Sequence, residues 1–221
     1  LGEYAALVAA GALSLYDGAH LVRLRGQFMQ AAVPAGTGAM AAVLGAEDAQ
    51  VEQVCVQCSS GGSAVVPANY NSPGQIVIGG HAGAVDRAIA ALQAAGIRKT
   101  VKLAVSVPSH TPLMRDAALR LQHAIAATAW KSPDRTVIHN VDATVKADIA
   151  DIQLALVEQL YLPVQWTRCT QALAATGVRH AVECGPGKVL AGLVKRIDKS
   201  ISTYNLATPA DWQACMQQAF D

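Results

Sequence analysis

His110 stands in the stretch VSVPSHTPLM, where an apolar run ends, a proline interrupts it and a new helix is expected to begin. In sheets of parallel strands, ligands and catalytic groups gather at the carboxyl ends of the strands. His110 occupies such a place, which makes it a candidate general base. The alternative for any histidine is a satisfied structural role, and that is the reading for His20, His81, His123, His139 and His180.

Arg25 raises a second chemical question. In GAHLVRLRGQFMQAAV, Val22, Arg25 and Met29 share one helical face, so a cation sits on an apolar stripe while Arg23 points elsewhere. A buried guanidinium needs an anionic partner. Either a carboxylate elsewhere in the chain supplies it, or Arg25 grips the carboxylate of a ligand through its bidentate fork. Two turns could also meet a ligand through their backbone. NYNSPGQ brings Asn69, Asn71 and Gln75 around a tight bend, and ECGPGKVL is a Gly-rich passage from strand to helix. Neither spacing is specific, and ordinary turn chemistry is the better account of both. Cys55 and Cys58 have CxxC spacing, but no second pair or histidine cluster follows at zinc spacing, and a metal is not expected.

The elements that must carry these residues fall into two textures. Helices are predicted over 1–12 and, opened by Ser14 and Asp17 at capping-box spacing, from there to about 32. Residues 37–106 then read strand (39–45), helix (46–58), strand (64–70), strand (75–80), helix (84–96) and strand (99–106). That order is the split βαβ of a ferredoxin-like unit, expected here as an inserted subdomain. Beyond it come a helix over 110–128, a strand over 135–141, helices over 148–161 and 164–177, a strand over 180–187 and a helix feeding from it. Strands alternating with helices argue a mostly parallel sheet with helices on both faces. The expected fold is therefore α/β, with a core formed by 1–36 and 107–221.

The bulk figures agree. Of 221 residues, 52% are hydrophobic and 15% charged, ample for a packed core. A net charge of +1 gives no case for nucleic acid or an anionic membrane surface. The longest apolar run, Tyr4 to Leu15, is far shorter than a bilayer span, and an odd, scattered set of five cysteines points to a reducing, cytoplasmic setting. No capping residue stands ahead of Leu1, although an Ala-rich helix starts there at once.

LGEYAAL, RGQFMQ, NSPGQ, VSVPSH, QLYLPVQW and GPGKVL follow one another in an order and spacing that resemble the malonyl-CoA:acyl carrier protein transacylases of bacterial fatty-acid synthesis, over nearly the whole chain. The resemblance implies an α/β-hydrolase-like core and a two-step transfer through a seryl ester. It places the nucleophilic serine immediately before Leu1, in a G-x-S-x-G elbow, so that the chain reads as lacking the segment up to and including that residue. It makes His110 the base, the backbone carbonyl of Gln159 the acceptor that orients it, and the Leu1 N–H an oxyanion donor. It assigns Arg25 to the free carboxylate of the malonyl group, which favours the second of the two readings above. Met29, Asn71, Gln75 and Val189 fall around the acyl and coenzyme A pocket. Arg98 and Lys99 are candidates for coenzyme A phosphates or for the acidic carrier protein.

What the resemblance implies further is no bound cofactor or metal, malonyl-CoA as substrate, acyl carrier protein as partner, and a monomer. Three rivals share some of these features. They are an acyltransferase domain of a polyketide or fatty-acid megasynthase, a non-catalytic carrier-protein docking module, and a serine hydrolase, for which Arg25 would have no use.

Overall fold

In the computed structural model, which describes residues 1–105 and 107–219, the chain is built from nine helices and six strands among those residues. Two helices come first, α1 (Gly2–Ala9) and α2 (Leu15–Ala32). Ser14 caps α2: its Oγ accepts from the Asp17 N–H at 3.0 Å and donates to the Asp17 carboxylate at 2.6 Å. The buried stripe of α2 is Gly18, Leu21, Arg25 and Met29, with Leu21 in the place expected for the partly buried Val22. Gly18 is the point of closest approach to α1, because a Cβ there would stand 2.6 Å from the Val8 side chain.

Next come β1 (Gly38–Leu44), α3 (Asp48–Cys58), β2 (Val65–Ser72), β3 (Gln75–His81), α4 (Ala82–Ala94) and β4 (Lys99–Lys102). They form a four-stranded antiparallel sheet in the order β2-β3-β1-β4. The order of elements matches the expectation for 37–106, with boundaries moved by one to three residues at most ends. The last strand is shorter than expected, and its predicted end at Ser106 lies outside the described residues. Val43, Ile76, Ile78, Val85 and Leu92 fill the space between this sheet and its two helices.

A single 3₁₀ turn (Pro112–Met114) leads into α5 (Arg115–Ala126), followed by α6 (Ile149–Glu158) and α7 (Trp166–Ala175). Then come β5 (His180–Cys184), α8 (Val189–Ile197), β6 (Ser202–Leu206) and α9 (Pro209–Ala219). The four-stranded sheet lies within 37–106 and is antiparallel, while β5 and β6, in the part expected as the core, pair in parallel as a two-stranded sheet. Residues 135–141 are not a strand. The His139 N–H goes to Thr144 O, and the Asn140 N–H goes to the Glu3 carboxylate, so neither is free for a ladder.

The core beneath the candidate site is helical. Tyr4 and Leu7 of α1, Leu21 of α2, Leu121 and Ile125 of α5, and Ile152 and Leu156 of α6 pack together with almost no exposure. The four-stranded sheet leans on this body through two glycines. A Cβ on Gly38 would run into the Pro108 ring, and one on Gly79 would stand 3.0 Å from the Thr111 methyl. The sheet thus braces both sides of His110.

Gly38→Ala should therefore cost about 1–3 kcal/mol through overpacking. Denaturant midpoints of Gly38→Ala, Pro108→Ala and the double variant test this. The double variant is expected to recover much of the loss, and purely additive losses would mean that Gly38 and Pro108 do not press on each other.

Candidate active site

The site begins where α6 ends. Backbone carbonyls just past a helix end have no partner within it, and here those of Gln159, the C-cap of α6, and of Leu160 after it are taken by one residue from another segment. His110 N–H donates to Leu160 O at 2.9 Å, and His110 Nδ1 bonds Gln159 O at 2.6 Å. A carbonyl can only accept, so Nδ1 carries the proton and Nε2 keeps its lone pair. The pairing holds His110 at φ 62°, a left-handed conformation that is uncommon outside glycine and costs about 1–3 kcal/mol. The Thr111 hydroxyl, donating to Pro108 O at 2.7 Å, closes the turn from the other side.

Several charges reach this imidazole. Burial is the largest influence and disfavours the cation; the Gln159 carbonyl and the Glu3 carboxylate favour it, while Arg25 opposes it. The net result is a His110 pKa lowered to about 4, so the ring is neutral at pH 7. The same couplings place Arg25 and Glu3 in one electrostatic neighbourhood with it.

Arg25 is 7% exposed and forms no ion pair among the described residues. Its Nη2 donates to the side-chain oxygen of Gln159 at a long 3.4 Å, and its Nε has no partner there. The structural ion pair left open by the sequence is thus not made. Burial lowers the Arg25 pKa, while the Tyr4 and Glu3 side chains support its charge. A buried donor with no acceptor is costly, and this one lies on the helix face that also carries Met29, 6% exposed one turn away.

Of the other candidates, Asn71 lies at a register shift in β2, and Gln75 starts β3 with its side-chain oxygen accepting from Arg196 at 2.7 Å. Val189 opens α8 largely in solvent, and Arg98, just before β4, and Lys99, its first residue, are exposed. None of these five joins the hydrogen-bonded cluster around His110. The thiols of Cys55 and Cys169 are pushed up to about 12 by burial, which makes them inert at neutral pH.

Sequence reasoning missed Glu3, His139 and the side chain of Gln159. The Glu3 carboxylate is 5% exposed and accepts from His139 Nδ1 at 2.8 Å, Asn140 N at 3.1 Å and Gln159 Nε2 at 3.0 Å. A carboxylate among alanines, and a histidine in the apolar run TVIHNV, were the available signals.

Comparison with known proteins bears on this cluster. The family model described as "Acyl transferase domain" matches residues 1–211. The malonyl CoA-acyl carrier protein transacylase of Salmonella typhimurium is 49% identical over 218 residues, covering 99% of this chain and 70% of the relative. The crystal structure of malonyl-CoA:acyl carrier protein transacylase from Xanthomonas oryzae pv. oryzae is 67% identical with a TM-score of 0.94, covering 97% of this chain and 68% of that one. A malonyl-transacylase solved in complex with its type II polyketide synthase acyl-carrier protein is 41% identical with a TM-score of 0.94, covering 97% of this chain and 69% of that one.

The depressed His110 pKa has a measurable consequence. A histidine ordinarily titrates near 6.5. The folded protein therefore binds fewer protons than the unfolded chain between about 6.5 and about 4, and stability falls as pH drops through that window. Imidazole resonances assigned by comparison with His110→Ala should show one midpoint near 4. A midpoint at the ordinary value would contradict the burial of this ring.

Proposed function

This chain belongs to the acyl transferase family, and from that membership we propose how its residues divide the work of malonyl transfer. The reaction moves a malonyl group from coenzyme A to acyl carrier protein in fatty-acid synthesis. The observation that carries the division of labour is the buried Arg25, unpaired at Nε and close enough to His110 for their charges to interact.

In the first half-reaction a serine hydroxyl, expected from the family resemblance just ahead of Leu1, attacks the thioester carbonyl of malonyl-CoA. His110 Nε2 takes the serine proton as the C–O bond forms. The Leu1 N–H donates to the oxyanion of the tetrahedral intermediate. As that intermediate collapses, the C–S bond breaks and the imidazolium returns the proton to the departing thiolate, leaving the malonyl ester on the serine. In the second half the carrier protein's phosphopantetheine thiol gives its proton to His110, attacks the ester, and expels the serine oxygen, which recovers the proton. A neutral imidazole at pH 7 supports the role of base. A thiolate is a good leaving group, so a neutral carbonyl at Gln159 suffices to orient the ring where poorer leaving groups call for a carboxylate.

Arg25 binds the far carboxylate of the cargo by a charge-assisted pair. Met29 borders the acyl chain beside it. We read Asn71, Gln75 and Val189 as more distant contacts of coenzyme A, and Arg98 and Lys99, whose exposure supports it, as contacts for its phosphates or for the carrier protein. Residues 37–106 are read as a ferredoxin-like subdomain, supported by the strand order β2-β3-β1-β4. The α/β-hydrolase-like core draws support from the parallel β5–β6 pair and α8. Five free cysteines agree with a cytoplasmic setting.

Arg25→Ala should lower malonyl transfer relative to acetyl transfer by roughly a hundredfold, because the pocket then loses the group that distinguishes the two cargoes. Competition assays with malonyl-CoA and acetyl-CoA measure the ratio directly, and an unchanged ratio would put the clamp elsewhere. His110→Ala should abolish the burst of acyl-enzyme with malonyl-CoA; a full burst would remove its role as base.

A further inference from the structure

Glu3 takes no part in the steps above, yet its carboxylate is among the most buried charged groups near the site and accepts three hydrogen bonds. We propose that Glu3 is a positioning residue that sets malonyl selectivity by fixing which end of the Gln159 side-chain amide faces Arg25. This rests on Arg25 being the cargo clamp.

A primary amide has nearly the same shape when its oxygen and nitrogen exchange places, so packing alone cannot choose between the two orientations. Arg25 can only donate. With the Gln159 oxygen toward it, the contact at 3.4 Å is attractive. With the NH₂ toward it, two donors would meet in a buried space, and the guanidinium would be pushed out of register. The choice is made on the other side of the amide, where Glu3 Oε2 accepts from Gln159 Nε2 at 3.0 Å. Glu3 in turn cannot swing away. Its second oxygen holds His139 Nδ1 at 2.8 Å, and the Asn140 N–H ties the first at 3.1 Å. The His139 side chain is itself fully buried.

The arrangement also explains why Arg25 is left unpaired. Glu3 supports the buried cation electrostatically, but the neutral amide of Gln159 stands between them. A carboxylate in direct contact would occupy the fork and compete with the cargo. Placed one hydrogen bond further back, it orients the clamp and leaves the Arg25 Nε free for the substrate.

The test compares Glu3→Ala with Glu3→Gln in the full-length enzyme, reading the malonyl-to-acetyl preference and the His110-dependent burst separately. Glu3→Ala removes the acceptor for Nε2 and should lower the preference about tenfold while a burst with malonyl-CoA persists, since His110 hangs from a backbone carbonyl. Glu3→Gln can still offer an oxygen to Nε2 and should recover most of the preference. Gln159→Met, which retains that backbone carbonyl but has no amide, should show the same fall, and it supplies the answer if Glu3→Ala does not fold. An unchanged preference in folded Glu3→Ala or Gln159→Met would overturn the proposal, as would equal losses of malonyl and acetyl transfer. If Arg25→Ala shifts the preference and Glu3→Ala does not, this inference alone fails. If neither does, the clamp reading fails first.

Discussion

The 2.6 Å hydrogen bond between the His110 ring and the Gln159 carbonyl is the contact on which the site depends. It exists because α6 stops at Glu158 and leaves the carbonyls of the next two residues, Gln159 and Leu160, outside the helical ladder. His110 takes both of them, one with its backbone and one with its ring. These bonds offset the cost of a left-handed backbone at a non-glycine residue and fix the tautomer. The negative end of the α6 dipole favours a cationic ring, yet burial outweighs it and the imidazole stays neutral. The same residue also reaches the proposed clamp, because the Gln159 side-chain oxygen accepts from Arg25. One helix terminus therefore sets the separation between base and clamp.

Around that terminus the fold is arranged for rigidity. α1, α2, α5 and α6 share one apolar core, and Glu3, Arg25 and Gln159 are carried on or next to three of those helices. The four-stranded antiparallel sheet closes the other side by bringing Gly38 and Gly79 against Pro108 and Thr111. Where a larger residue would stand, the segment bearing His110 passes instead. The ring hangs from backbone, while the guanidinium is held through side chains, so the two proposed roles rest on different contacts.

Much of this was legible in the sequence because it is local. Ser14 and Asp17 announced the start of α2, and the alternation in 37–106 gave the order of its strands and helices. The placement of Arg25 on an apolar stripe was visible from spacing, though not whether a carboxylate met it. Long-range pairing was not legible. The run RTVIHNV has the composition of a strand, but its amides are diverted to Thr144 and to Glu3, which is 137 residues away from Asn140. The role of Gln159 as an orienting carbonyl came from family resemblance. Its second role, through the side chain, needed three residues from separate elements to be seen together.

The central claim is that Gln159 holds a base and an unpaired cation at the two ends of one malonyl group. A crystal structure of the malonyl-loaded full-length enzyme tests it most directly. The account predicts a cargo carboxylate oxygen about 2.8 Å from the Arg25 guanidinium, its Nε engaged, with the ester at the His110 ring. A carboxylate turned to solvent, or seated on Arg98 and Lys99 while Arg25 stays unpaired, would contradict it.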